Sequence, residues 1–78
     1  MFGRVRDFDR GFGFIVYEGD FGGLLNIFVH HKNIVGMDGY RHLPVGATVQ
    51  FEIVVDHHGR HAENVRVIEG AETTPGEI

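Results

Sequence analysis

Cysteine is absent from the sequence, which excludes both a disulfide framework and a thiolate metal site. Long apolar runs are also absent, and nothing resembles a signal peptide, because the N-terminus leads directly into a charged, alternating segment. We therefore expect a cytoplasmic protein without a membrane partner. A chain of 78 residues has room for one domain with one hydrophobic core.

The sequence also lacks the excess of positive charge that is typical of nucleic-acid-binding domains, since its net charge is −4. Three of the eleven acids, Glu69, Glu72 and Glu77, lie in the last ten residues, where there is no lysine or arginine. The rest of the chain has eight acids and seven bases, and three arginines lie within the first ten residues. A nucleic-acid partner would therefore be bound by stacking more than by long-range attraction.

Two short runs, residues 12–17 and 27–30, combine aromatic and β-branched side chains and are typical of strands. Because successive side chains of a strand point to opposite faces, both faces of each run are apolar, and one core accommodates only one of them. We assign the ring-bearing face to the outside, since flat rings beside positive charge suit stacking with single-stranded nucleic acid. This aromatic face consists of Phe12, Phe14, Phe28 and His30. On periodicity alone, the reverse arrangement with the rings in the core stays open.

Residues 2–8, 48–55 and 61–67 predict three further strands, and glycine-rich or aspartate-containing turns separate them. Five short strands indicate an all-β fold, a small closed five-stranded antiparallel barrel of the OB type. Residues 1–68 form this domain, and residues 69–78 are expected to be an acidic, disordered tail. The loop over residues 18–25 contains Phe21, Leu24 and Leu25, which we expect to fold back over one end of the barrel rather than to bind a partner.

An enzymatic function has little support, because no nucleophile and base, phosphate-binding loop or metal motif occurs at a recognisable spacing. The six histidines raise the alternative of a metal site, particularly at His57, His58 and His61. However, His30 and His31 are neighbours in a predicted strand and should point in opposite directions, and no third ligand has a helical spacing. We therefore predict solvated histidines, no metal and no other cofactor.

Residues 10–17 also fit the octapeptide of RNA-recognition-motif domains, but only nine residues precede it, and its partner run follows instead of preceding it. The order resembles the cold-shock domain. Residues 10–15 resemble the Lys-Gly-Phe-Gly-Phe-Ile motif of that family, and residues 27–30 its Val-Phe-Val-His motif. Residues 59–65 are similar to its closing pattern of Gly, two residues, Ala, any residue, Asn and Val. The resemblance extends over residues 3–67.

This resemblance implies an OB-type barrel that binds single-stranded RNA and DNA with low sequence specificity, as an RNA chaperone or a regulator of transcription or translation. It implies no small-molecule substrate, and a monomer, with a strand-swapped dimer as the alternative. The implied nucleic-acid-binding residues are phosphate contacts at Arg6 and Arg10, ring contacts, and a basic turn position at His58. The ring contacts are Phe8, Phe12, Phe14, Phe28, His30, His31 and Tyr40.

The main departure from the family pattern is Asp7, which stands where the family has a tryptophan. Loss of one stacking ring is worth about 1–3 kcal/mol, which predicts binding weaker than the family norm by about one to two orders of magnitude.

An alternative function is a protein–protein interaction module on the same fold. If nucleic acid binds, protonation of His30 and His31 would add positive charge facing the phosphates. We therefore predict tighter binding at about pH 6 than at pH 8.

Overall fold

The computed structural model describes residues 1–36 and 41–69. Five strands and one short 3-10 helix make up its regular structure, and the predicted all-β fold is confirmed. Within these residues, no helix has the length and apolar character needed to cross a membrane. Tyr40 and residues 70–78 lie outside the described part; of the predicted tail, residues 69–78, only Glu69 is described, and it is the last residue of a strand rather than part of a tail. The elements are β1 (Phe2–Asp9), β2 (Phe12–Glu18), β3 (Leu24–His30), the 3-10 helix (His31–Asn33), β4 (Thr48–Asp56) and β5 (Gly59–Glu69).

The strands close into a barrel in the order β1-β2-β3-β5-β4, as predicted for the architecture. The prediction that all pairs are antiparallel is wrong, because β3 and β5 pair in parallel. The reason is geometric: in a closed ring with an odd number of strands, direction cannot alternate all the way round. The remaining four pairs are antiparallel.

The aliphatic faces of the strands fill the barrel, as the sequence analysis predicted. Ile15, Val29 and Val49 are completely buried, and burial of each such side chain contributes about 1.5–3 kcal/mol. The arrangement with the rings of the aromatic face in the core is therefore excluded. The full set of buried hydrophobic residues is Val5, Phe8, Ile15, Tyr17, Ile27, Val29, Ile34, Leu43, Ala47, Val49, Phe51, Ala62 and Val65.

A β-bulge interrupts the alternation of β1. Val5 pairs with Ile15, but the next partner of β2, Phe14, lies opposite Asp7, so Arg6 and Asp7 together oppose one residue. The extra residue shifts the inside–outside parity of the strand, and Phe8 therefore lies inside the barrel with Val5.

The loop between β2 and β3 differs from the prediction. The strand ladder continues to the pair Glu18 and Leu24, so the connection is residues 19–23 instead of 18–25. The expectation that its apolar residues cover the barrel is wrong, because Phe21 is fully exposed and both Leu24 and Leu25 are also exposed. The continued pairing extends the hairpin, and its tip therefore stands in solvent.

Candidate nucleic-acid interface

The aromatic face lies on the outside of β2 and β3, where antiparallel pairing sets Phe12 opposite His30 and Phe14 opposite Phe28. The ring centre of Phe28 is 6.2 Å from that of Phe12 and 5.9 Å from that of Phe14. Phe12 is 51% exposed, and the other three side chains are half-buried. The four rings therefore form one continuous surface over the two strands.

Arg6 and Asp7 border this surface because the bulge in β1 places both of them beside Phe14. The Arg6 guanidinium lies 5.1 Å from the centre of the Phe14 ring, within cation–π range. Its Nε donates a hydrogen bond to Asp7 Oδ2 at 3.0 Å, and each of the two side chains is 51% exposed. The edge of the aromatic face next to Phe14 thus carries one cation and one carboxylate.

The 3-10 helix after β3 brings the His30 and His31 rings together, with centres 4.5 Å apart and planes inclined by 32°. The expectation that they point in opposite directions is wrong, because the strand ends at His30 and the chain turns there. The His31 backbone N–H donates to the Gly11 carbonyl at 2.7 Å, which joins this turn to the β1–β2 turn. His31 therefore extends the aromatic face beyond His30.

The pKa of His30 is lowered from its usual value, chiefly by burial and further by the charges of His31 and Lys32. Consistently, the Lys32 backbone N–H donates to His30 Nδ1 at 3.2 Å, so this nitrogen is an acceptor and carries no proton. At neutral pH the His30 ring is therefore a neutral, flat surface.

The tight turn between β1 and β2 positions Arg10 next to the aromatic face. Arg10 and Gly11 both have positive φ, 58° and 93°, as a two-residue type I′ turn requires. The Arg10 side chain is largely exposed, with Nε 4.0 Å from Asp9 Oδ2. It can reach a ligand that lies over Phe12, which follows the turn directly.

Phe8 and His58 do not join the aromatic face. Phe8 is only 7% exposed and packs edge-on against His42, with ring centres 5.6 Å apart, so its expected position among the outer rings is wrong. His58 lies in the β4–β5 turn, where its ring is 3.9 Å from that of His57. Because β5 runs parallel to β3 and pairs His61 with Phe28, His58 lies toward the start of β3, away from His30.

His61 is a neighbour of the aromatic face that the sequence analysis did not include. It pairs with Phe28 across β3 and β5, and its Nε2 lies 2.7 Å from Glu63 Oε2. Alternation around the buried Ala62 would have predicted that His61 faces outward, but not that β5 lies beside β3.

Within residues 1–36 and 41–69, no group of three or more potential ligands is arranged to hold a metal ion.

A small closed barrel that exposes a set of rings beside cations belongs to the class of OB-type barrels, which use such faces for binding. Comparison with known families agrees: the "Cold-shock" DNA-binding domain matches residues 1–68. The chain therefore belongs to the cold-shock domain family, whose members are nucleic-acid-binding proteins and not enzymes.

Several curated bacterial proteins are similar over almost their whole length. The cold shock protein CspD of Bacillus subtilis is 45% identical over 65 residues, which cover 81% of this chain and 91% of that protein. The cold shock-like protein CspA of Stigmatella aurantiaca is 43% identical over 68 residues, covering 85% of this chain and 94% of that protein. The cold shock-like protein CspD of Escherichia coli K12 is 42% identical over 69 residues, covering 86% and 88%.

Proposed function

We propose that this protein binds single-stranded RNA and DNA by stacking bases on the aromatic face. The observation that carries the proposal is the outward position of Phe12, Phe14 and Phe28, while Ile15, Ile27 and Val29, which alternate with them along the same strands, are buried. Exposed rings are energetically unfavourable in water, and a stacked base is a fitting partner for them. Because every base has a flat face, such binding has low sequence specificity.

The spacing of the rings favours a single strand over a duplex. Bases in a duplex follow one another at about 3.4 Å along each strand, and they are enclosed between their neighbours. The ring centres here are 5.9 and 6.2 Å apart. Successive bases reach separate rings only when the strand is extended and unstacked, which a duplex does not permit.

Three cations border the rings and would contact phosphates: Arg6, Arg10 and Lys32. Arg6 is partly neutralised by Asp7, and Arg10 lies near Asp9. We therefore expect neutralisation of only about two or three phosphates, and a correspondingly shallow decrease of affinity with salt. His31 and His61 extend the same surface on either side and are assigned to it as further base contacts.

The proposal is tested by fluorescence anisotropy of a labelled short oligothymidine and of a duplex of the same length, at low and at moderate salt. We expect the single strand to bind and the duplex to bind much more weakly. Phe12→Ala and Phe28→Ala should each weaken binding by about 1–3 kcal/mol. Phe21→Ala is the matched control, because it removes an exposed ring that lies outside the aromatic face.

Equal loss of affinity in all three variants would contradict stacking on the aromatic face, and so would equal binding of duplex and single strand. Each variant must keep the circular dichroism spectrum and melting temperature of the wild type. Phe12 and Phe21 are exposed, and the half-buried Phe28 lies outside the core cluster, so all three variants should meet this requirement.

The alternative function is a protein–protein interaction module, which the exposed hairpin tip at Phe21 and Leu24 favours. The same variants separate the two functions. If a protein complex is lost with Phe21→Ala while oligonucleotide binding is absent from the wild type, the alternative is supported and the stacking proposal fails.

For its role in the cell, we propose an RNA chaperone or a regulator of transcription or translation that acts as a cytoplasmic monomer. Support comes from the family and from stacking that accepts any base, which suits transient opening of RNA hairpins. The test is the opening of a fluorophore-labelled RNA hairpin by excess protein, together with the molecular mass in solution. An unchanged hairpin despite binding to single strands would favour the regulator.

A further inference from the structure

Asp7 places a half-exposed carboxylate beside Phe14, at the border of the aromatic face. The bulge in β1 is what places it there, because two residues of β1, Arg6 and Asp7, lie opposite the single residue Phe14. Half of the Asp7 side chain is accessible, so its carboxylate can reach the edge of a base that stacks on Phe14. Asp7 therefore has a second consequence for binding, besides the absence of a stacking ring at its position.

The four bases differ in what they offer to a carboxylate. An ionised carboxylate only accepts hydrogen bonds, through two oxygens. In a single strand the Watson–Crick edges are free, and guanine presents two adjacent donors there, N1–H and the N2 amino group. Cytosine and adenine present one amino donor beside an acceptor, and thymine or uracil presents one N–H between two carbonyl oxygens. Guanine alone matches both carboxylate oxygens.

We propose that Asp7 makes the base position over Phe14 selective for guanine, by accepting the N1–H and N2–H donors with its two oxygens. This inference rests on the proposed binding of single strands and adds one selective position to an otherwise unselective surface. The existing contact with Arg6 is compatible with it. Arg6 uses only Asp7 Oδ2, and each carboxylate oxygen has about two acceptor sites.

The ion pair does not block this position permanently. In the free protein Arg6 lies over the Phe14 ring and is paired with Asp7, so a base that stacks on Phe14 must displace the guanidinium. An exposed ion pair of this kind is worth only about 0–1 kcal/mol, so Arg6 can also turn toward a phosphate without a large cost. Asp7 would then remain as the acceptor for the base.

The experiment uses oligothymidines that carry one guanine, moved through each position in turn, with affinity measured by fluorescence anisotropy. A single guanine avoids the self-association of guanine runs. One position should bind at least about fivefold more tightly than oligothymidine, the lower limit for a bidentate base contact. At that position, hypoxanthine should lose part of the gain, because it lacks the N2 amino group. Adenine, an equally large purine, should lose nearly all of it.

Asp7→Asn should abolish the preference for guanine over thymine, because an amide offers one donor and one acceptor. The ratio of the two affinities is the readout, since removal of a charge strengthens binding to every strand. Asp20→Asn is the matched control, because it removes the same charge from the β2–β3 loop and should leave the ratio unchanged.

The outcomes separate the two proposals. If no oligonucleotide binds, the proposed function itself fails. If all strands bind with the same affinity, or if adenine is as favourable as guanine, single-strand binding stands and the role of Asp7 is refuted. A guanine preference that persists in Asp7→Asn assigns the selectivity to another residue and likewise overturns the inference.

Discussion

Phe8 lies directly opposite Gly13 in the β1–β2 pair, and Gly13 leaves the space that this approach of the two strands requires. A Cβ atom at Gly13 would overlap the Asp7 carbonyl oxygen and lie 2.7 Å from Phe8 Cα. The bulge before Phe8 and the glycine across from it are thus parts of one arrangement. It turns Phe8 into the core and leaves Arg6 and Asp7 beside Phe14.

Phe8→Leu should lower stability but not affinity, because the Phe8 ring packs in the core and not on the aromatic face. We expect the free energy of unfolding to fall by about 1 kcal/mol, measured by urea denaturation. Affinity for oligothymidine should stay within about twofold. Phe12→Leu is the comparison variant, with the opposite pattern: weaker binding and nearly unchanged stability. A large loss of affinity in Phe8→Leu would show that Phe8 turns outward to stack.

Gly13→Ala should destabilise the barrel, since the added methyl group meets the backbone of β1, which cannot move as a flexible side chain does. A loss of at least about 1–3 kcal/mol is expected from overpacking. Thermal denaturation followed by circular dichroism measures it. Gly23→Ala is the control, because a Cβ atom there has nothing within 4 Å, and it should melt almost as the wild type does.

Asp7→Trp should strengthen binding to oligothymidine by about one to two orders of magnitude, because it adds a ring beside Phe14 and removes a negative charge. Asp7→Ala removes the charge without adding a ring. The difference between the two variants therefore measures the stacking contribution alone. If both variants gain equally, repulsion by Asp7 and not the missing ring limits the affinity of the wild type.

The affinity for single strands should rise on acidification, but at a lower pH than for a histidine with an unshifted pKa. The pKa of His30 is lowered in the free protein, so its ring stays neutral somewhat below about pH 6.5. Phosphates near the ring favour its protonated form, and binding then takes up a proton. The contribution of His30 is therefore absent between pH 8 and 7 and grows as the pH falls below about 6.5.

The measurement is the dissociation constant as a function of pH, for the wild type and for His30→Phe, which keeps a ring but has no titratable group. The variant should lose the part of the increase that His30 contributes. An equal pH dependence in both proteins would show that His30 does not carry this effect.

Much of this protein follows from the sequence alone, because the alternation of side chains along a strand is a local property. Alternation separated Ile15 and Val29 from Phe12 and Phe28, and the arginines beside the rings indicated which face lies outside; burial confirms that choice. The number of strands and the family motifs were equally readable, since they depend on short runs of residues and their order.

Only the tertiary structure decided which residues meet. The parity of β1 changes at a bulge, and a bulge arises from the fit between two strands, so Phe8 was placed on the wrong face. Closure of the barrel sets β5 beside β3, which brings His61 next to Phe28 although the two are far apart in the chain. Register and strand neighbours depend on how the whole sheet closes, and no local pattern in the sequence contains that information.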